Sequence, residues 1–362
     1  MNSTISPWRS SHQSHGRFFN PRMPRRDVQS FLRWIFTRQQ GPWCDFTETQ
    51  STIPSARVED HTLRVTFVNH STFLIQSEGY NLLTDPVWSE RVSPVRFAGP
   101  RRHRSPGVSL HELPTIDVIL LSHNHYDHCD YTSLRALARR DNPAIFCPLG
   151  LARSLRKLGF SRIFELDWWQ SDAFESLRIH AVPAQHFSAR GLFDRNRTLW
   201  CGWMVESRNG AIYFAGDTGF ADFFEEIAAD FPRIRLALLP IGAYAPEWLM
   251  GPIHMTPEES LAAHQILCPE QSLATHFGTF ALADDGEFDP VERLHRAIEK
   301  NPPQTPFLLL REGECQSFPV RELPSEPNQT STLPHSAYAP ELAAISPAAS
   351  GSKSAISLNQ ST

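Results

Sequence analysis

The sequence predicts a layered α/β fold, and three observations carry that expectation. From about residue 61, the short runs LRVTFV, TFLIQS and YNLLTDP are separated by turn residues, as in an antiparallel meander. Between residues 116 and 166, strand-like runs alternate with helical segments, the rhythm of a layered α/β domain. The third observation is chemical. An apolar, β-branched run over 116–121 stops in a cluster of His123, His125, Asp127 and His128.

The 362 residues suffice for one large domain with decorations or for two domains, and 41% hydrophobic residues allow a substantial core. A net charge of −5 gives no global reason to expect nucleic acid as a partner. Six cysteines (Cys44, Cys129, Cys147, Cys201, Cys268, Cys315) form no C-x-x-C pair, which fits reduced, mostly buried thiols better than a disulfide framework. No apolar run approaches the ~18 residues of a spanning helix. The N-terminus also lacks the apolar core of a secretory signal, so the expected location is the cytoplasm, with peripheral contact at a membrane surface left open.

In chain order, residues 1–26 are polar, proline-punctuated and rich in arginine, and read as a flexible basic arm. Residues 27–60 form an N-terminal helix and connector. The helix DVQSFLRWIFTRQQG is opened by Asp27 and closed by Gly41. Phe31, Leu32, Trp34, Ile35 and Phe36 give it an apolar surface, flanked by Arg33 and Arg38. Either it packs on the body of the domain, or it rests as a basic, aromatic helix on a membrane.

Residues 61–322 form the main domain. After the meander, Asp85-Pro86 ends the third strand and 91–106 is a long loop; Asp85 reads as a turn residue, its alternative being a partner that orients a ligand histidine. A helix over 133–140 turns Leu134 and Leu137 inward. It is followed by a strand over 144–147, a helix over 149–158 stopped by Gly159, and a strand over 163–166. LRIHAVPA is a strand leading to Gln185-His186. TLWCGWMVES and AIYFAG form a hairpin through Arg208-Asn209-Gly210. Gly216-Asp217-Thr218-Gly219 then leads to a helix over 220–229, and RLALLPI is a buried strand. Thr256-Pro257-Glu258-Glu259 has the chemistry of a helix start. SLATHF is a strand ending on His276, 290–300 a helix and TPFLLL the last strand. Residues 323–362 are rich in Ser, Ala, Pro and Asn without periodicity and read as a disordered tail.

Imidazole and carboxylate both suit Zn²⁺. His123 and His125 lie two apart at an extended strand end, so both can face one ion, and the chain must turn for Asp127 and His128 to face a second. Chance alone would have to put three of 16 histidines into six positions. His186, Asp217 and His276 each stand where another predicted strand stops. Strand ends converge on one edge of a layered fold, so these positions argue together for a two-metal site.

The HxHxDH stretch, the later His, the Gly-Asp-Thr context and the final His together resemble the metallo-β-lactamase superfamily. Within it, LLTDPVWSERVSP, LLSHNHYDHCD, the strand with Trp200-Cys201-Gly202-Trp203, YFAGDTGF, LLPIGAYAPEWLM, HMTPEES and ATHFGTF are similar to the N-acylphosphatidylethanolamine-hydrolysing phospholipase D family. FLRWIFTR resembles the segment before the domain in that family, and the likeness covers roughly residues 17–320. It implies a four-layer αββα sandwich with the metals at one edge of the sheets. His123, His125 and His186 would hold the first Zn²⁺ and Asp127, His128 and His276 the second, with Asp217 bridging. Diiron redox members commonly carry Glu where this chain has His125, which favours a hydrolase. Two ions ~3.5–4 Å apart would lower the pKa of a bridging water and neutralise charge growing on phosphorus. Asp127 could also orient the hydroxide. His254 could hydrogen-bond the phosphate, help the leaving group depart, or merely support the helix start at Thr256. Tyr244 and Trp248 could line a substrate groove or simply pack.

Three functions follow. The first is a zinc phosphodiesterase of phospholipase D type acting on N-acylphosphatidylethanolamine-like lipids. The second is a soluble metal-dependent hydrolase of another ester, lactone or phosphodiester. The third, a non-catalytic protein retaining the fold, is opposed by the intact ligand set. The expected partners are a phospholipid or other phosphodiester substrate and a membrane surface, with room for a homodimer.

Overall fold

The computed structural model describes residues 6–23, 28–59 and 62–319, leaving the expected tail and Asp27 outside the described residues. The arm opens with a single 3-10 turn at Pro7–Arg9 and a small hairpin of β1 (Gln13–Ser14) and β2 (Arg17–Phe18). Over residues 6–23 it is not the flexible segment its composition suggests. Trp8 and Phe18 are buried, so tertiary anchors supply the order that local periodicity lacks. Trp8 Nε1 donates to Asp222 Oδ1 at 2.6 Å, and its ring meets Phe223 edge-on at 5.0 Å.

Helix α1 (Val28–Thr37) stops short of Gly41. Trp34 is buried against Ala243, Leu249, Met250 and Ile253, and its indole N–H donates to Asp284 Oδ2 at 2.9 Å. The helix therefore packs on the domain through Trp34, which corrects its inclusion in a lipid-facing surface. Leu32, Ile35 and Phe36 remain exposed.

The first sheet takes β3 (Thr62–Asn69), β4 (Thr72–Ser77) and β5 (Tyr80–Thr84) as the expected antiparallel meander. It continues in parallel through β6 (Val118–Leu120), β7 (Ala144–Pro148) and β8 (Ile163–Leu166). Helices α2 (Tyr131–Arg140) and α3 (Ala152–Leu158) return the chain between them, with Asp130 capping the first and Gly159 at φ 112° ending the second. The alternation within β6 assigns the layers. Val118 and Leu120 enter the core between the sheets, while Ile119 packs with Leu134, Leu137 and Leu155 of the helices.

The second sheet starts with the antiparallel strands β9 (Ser171–Phe174), β10 (Leu177–Val182), β11 (Gly202–Ser207) and β12 (Gly210–Phe214). Helix α4 (Phe223–Asp230) leads to β13 (Ile234–Pro240). A single turn, α5 (Glu247–Met250), precedes α6 (Pro257–Leu267), whose Thr256 and Glu259 form a reciprocal capping box. Then come β14 (Ser272–Thr275), α7 (Asp289–Lys300) and β15 (Phe307–Leu308), parallel beyond β12. TPFLLL is not the last strand: β16 (Cys315–Pro319) returns to pair with β3 at the edge of the first sheet. Leu261, Leu267 and Leu294 pack on the second sheet, completing the αββα sandwich. Sheet burial supplies most of the cohesion of such layers.

Among the described residues no helix is long and apolar enough to cross a membrane. All six cysteines are free. Cys129, Cys147 and Cys201 are buried, but Cys44, Cys268 and Cys315 are exposed, against the expectation of mostly buried thiols.

Candidate metal centre

The site lies where strands of both sheets stop. His70 follows β3, Asp85 follows β5, His123 follows β6, Asp217 follows β12 and His276 follows β14. Two glycines let these ends meet. A Cβ on Gly216 (φ 61°) would lie 2.6 Å from the Cβ of Ser122, and one on Gly242 only 2.1 Å from the carbonyl oxygen of His276. Four non-glycine residues here also hold positive φ: His70 (50°), Asp85 (30°), Ala243 (60°) and His276 (59°). Such backbone costs ~1–3 kcal/mol per residue and persists where the surroundings over-determine it, often at functional sites.

Two groups of side chains converge. In the first, His123 Nε2 and His125 Nδ1 are 2.9 Å apart, and His186 Nε2 is 3.2 Å from that Nδ1. Ligands ~2.0–2.1 Å from a tetrahedral ion sit ~3.3 Å from each other, so the spacing fits one shared cation. In the second, Asp127 Oδ2 is 3.2 Å from His128 Nε2 and 3.4 Å from His276 Nε2. Asp217 Oδ2 stands between the groups, 3.2 and 3.1 Å from His128 and His276 Nε2, and 3.7 and 3.9 Å from His186 and His123 Nε2. Despite those distances, His128 Nε2 and His276 Nε2 are buried without hydrogen-bond geometry to any group among the described residues. The side chains aim at common points and not at one another.

Hydrogen bonds on the far side of three rings set their tautomers. His186 Nδ1 faces the carbonyl of Ile253 at 2.9 Å, and a carbonyl only accepts. His128 Nδ1 faces Asp85 Oδ2 at 2.7 Å. Ser122 Oγ donates to Asp85 Oδ2 at 2.5 Å, so it must accept from His123 Nδ1 at 2.9 Å. When neutral, each ring therefore turns a lone pair of Nε2 into the site, the second layer of contacts that metal-ligating histidines use.

Electrostatics divides the groups. Burial pushes His123 and His186 well below the usual imidazole value and His125 down to about 4. Burial also opposes the imidazolium of His128, but Asp217, Asp127 and Asp85 outweigh it and raise it well above its usual value. The same contest, with Asp217 and Asp127, brings His276 to about 9. Burial would raise Asp127 and Asp217, yet facing imidazoles hold both well below the usual carboxylate range. This arrangement can accept cations: one group is already neutral nitrogen, and the other must exchange protons for metal.

All seven residues expected as ligands come together. His254 joins them, its Nδ1 3.9 Å from Asp217 Oδ2 and its ring 5.0 Å from that of His186. Burial lowers it to about 3, so it is a neutral imidazole suited to hydrogen bonding. Tyr244 does not open onto a groove: it is 3% exposed, with the Arg293 guanidinium 4.6 Å from its ring centroid. Trp248 is 53% exposed on α5, with Arg33 of α1 5.5 Å from its ring.

Asp85 is corrected from turn residue to orienting partner, since it is fully buried and accepts from His128 and Ser122. His70 escaped the sequence reading altogether. Its Nε2 lies 3.0 Å from Asp127 Oδ2, and it could join Asp127, His128 and His276 around one ion. It sits in the turn between β3 and β4, where the sequence signals only a turn, although it too follows a strand end.

Residues 80–277 match the beta-lactamase superfamily domain. The chain is 44% identical over 242 residues to an uncharacterized protein of Mycobacterium tuberculosis, covering 66% of this chain and 64% of that relative's length. It is 36% identical over 267 residues to the N-acyl-phosphatidylethanolamine-hydrolyzing phospholipase D 1 of Caenorhabditis elegans, covering 70% of this chain and 75% of the relative. A metallo hydrolase of the archaeon Ignicoccus hospitalis superposes with a TM-score of 0.55 at 22% identity, over 72% of this chain and 100% of that one, a likeness of fold.

Proposed function

The chain belongs to the beta-lactamase superfamily, and on that premise we propose a zinc-dependent phosphodiesterase of phospholipase D type, acting on N-acylphosphatidylethanolamine-like lipids. The observation that carries the reading is Asp217 Oδ2, 3.1–3.9 Å from nitrogens of both histidine groups. His123, His125 and His186 would hold one ion, Asp127, His128 and His276 a second, and Asp217 both. Zinc bound there supplies Lewis acidity and a water of lowered pKa at neutral pH. The residues do the rest. Asp85 and Ser122 keep the rings of His128 and His123 turned inward, and His70 steadies Asp127. His254, neutral and close to Asp217, offers a hydrogen bond to a phosphoryl oxygen. The exposed Leu32, Ile35 and Phe36 of α1, beside Trp248, suit contact with a lipid surface.

The second reading, a soluble hydrolase using the same residues, is favoured by the burial of Trp34, which narrows that apolar surface. Zinc-loaded protein should be assayed on vesicles containing N-acylphosphatidylethanolamine, on bis(p-nitrophenyl) phosphate and on a lactone. Release of N-acylethanolamine and phosphatidic acid supports the lipid reading. Turnover of the soluble compounds alone moves the function to the second reading, and no turnover with metal bound rejects both.

A further inference from the structure

We infer that Asn20, on the N-terminal arm, is a positioning residue for one half of the metal centre, an inference that rests on the two-metal reading. Its carboxamide grips the main chain of His186. Asn20 Nδ2 donates to the His186 carbonyl at 2.6 Å, and His186 N–H donates to Asn20 Oδ1 at 3.2 Å. Trp200 Nε1 donates to the same Oδ1 at 3.2 Å while also reaching the carbonyl of Ala184 at 2.9 Å. Two N–H donors on one atom identify it as the oxygen and so assign the amide's orientation.

The pairing replaces a strand. His186 lies beyond the end of β10, and among the described residues its N–H and carbonyl have no main-chain partner. A side-chain amide supplies the reciprocal donor and acceptor that a neighbouring strand would give. The imidazole is thereby held from two directions, by Ile253 at Nδ1 and by Asn20 through the backbone. With both fixed, Nε2 has little freedom but to face His125 Nδ1 at 3.2 Å.

The arm is tied down ahead of Asn20. Trp8 is fully buried and bonded to Asp222. Phe18 N–H donates to Asn196 O at 2.8 Å and Asn196 Nδ2 returns to Phe18 O at 3.1 Å. Asn196 N–H in turn donates to Ser188 O at 2.7 Å, two residues past His186. A segment more than 160 residues away in sequence thus sets the position of one ligand. The His128 and His276 group receives no such contact from Asn20.

The test compares the wild type with Asn20→Ala, Asn20→Asp and Trp8→Phe. Each metal-free protein is titrated with Zn²⁺ against a competing chelator and with Co²⁺ followed by absorption, and its melting is recorded. Removing a partner that orients a ligand typically weakens metal binding ~10–100-fold. Asn20→Ala and Asn20→Asp should show that loss for one equivalent only, with an altered Co²⁺ spectrum for that equivalent. Asn20→Asp keeps the acceptor but sets an oxygen against the His186 carbonyl, so the test survives if the alanine variant folds poorly. Trp8→Phe removes only the distant bond to Asp222 and keeps the Phe18–Asn196 bonds beside Asn20, so it should lower melting while leaving both affinities in place. The inference is overturned if both Asn20 variants bind two equivalents like the wild type, or if their losses track melting and fall equally on both equivalents. A wild type that takes up no ion would overturn the metal reading itself.

Discussion

Asp85 Oδ2 accepts from His128 Nδ1 at 2.7 Å, with both side chains fully buried. The same oxygen takes the hydroxyl of Ser122, which in turn meets His123. One carboxylate thereby aims a ring in each histidine group. Asp85→Ala strands three buried donors, the Ser122 N–H and hydroxyl and His128 Nδ1, and should weaken ion binding at both groups, by ~10–100-fold where His128 contributes. Asp85→Asn, keeping one acceptor, should fall between it and the wild type. Chelator competition reads both; unchanged affinity would return Asp85 to the role of a turn residue.

The convergence of the seven candidate ligands was legible because each ends a strand or follows a strand-ending motif, and strand ends share an edge. His70 was not, and Asp85 only as the lesser alternative to a turn residue, since their roles depend on contacts across chain separations of 57 and 43 residues. The αβ alternation was readable from apolar runs, but β16, reading CQSFP, carries no such pattern and forms by pairing with β3. The arm is similar: nothing periodic announces it, and burial of Trp8 and Phe18 orders it.

Asp217 is expected to differ from the other ligands in kind. Its Oδ2 faces both groups, so Asp217→Ala should lower the content of both ions, whereas His123→Ala should spare the second. Elemental analysis after zinc reconstitution and dialysis separates the cases. Equal retention in the two variants would remove Asp217 from the bridging position.

Metal uptake should release protons. In the metal-free chain His276 titrates at about 9 and His128 is also raised, so both carry protons at neutral pH that a cation must displace. Apparent affinity should therefore climb as pH rises toward 9. For the metal-free fold the sign is opposite. A value raised above the unfolded ~6.5 stabilises below that pH, and this contribution is lost as pH rises through about 9. Calorimetry in buffers of different ionisation enthalpy counts the protons; no net release at pH 7 would contradict the assignment.

Thiol reactivity should divide three and three. Burial pushes Cys129 up to about 12 and raises Cys147 and Cys201 well above the usual thiol value, while Cys44, Cys268 and Cys315 are exposed. Brief iodoacetamide treatment of the native protein should add three labels, with Cys44 slowest because Glu287 disfavours its thiolate. Mass spectrometry showing early labels on Cys129, Cys147 or Cys201 would mean that the core opens.

The lipid reading turns on which face of α1 meets what. Trp34 is buried and donates to Asp284, so Trp34→Asp would set a second carboxylate beside that one and remove an anchor from the pocket of Leu249 and Ile253. Melting should fall sharply, because burying an unpaired charge is one of the few routes to a large loss of stability. Leu32, Ile35 and Phe36 are exposed, so replacing all three with Asp should leave melting nearly unchanged. If that face meets lipid, the triple variant should lose vesicle binding and lipid turnover but keep hydrolysis of bis(p-nitrophenyl) phosphate, since the metal ligands are untouched. Arg33 and Arg38 beside anionic headgroups should also make wild-type vesicle binding weaken with salt. A triple variant that folds, binds vesicles and cleaves lipid like the wild type would remove α1 from the mechanism, leaving a soluble substrate as the better reading.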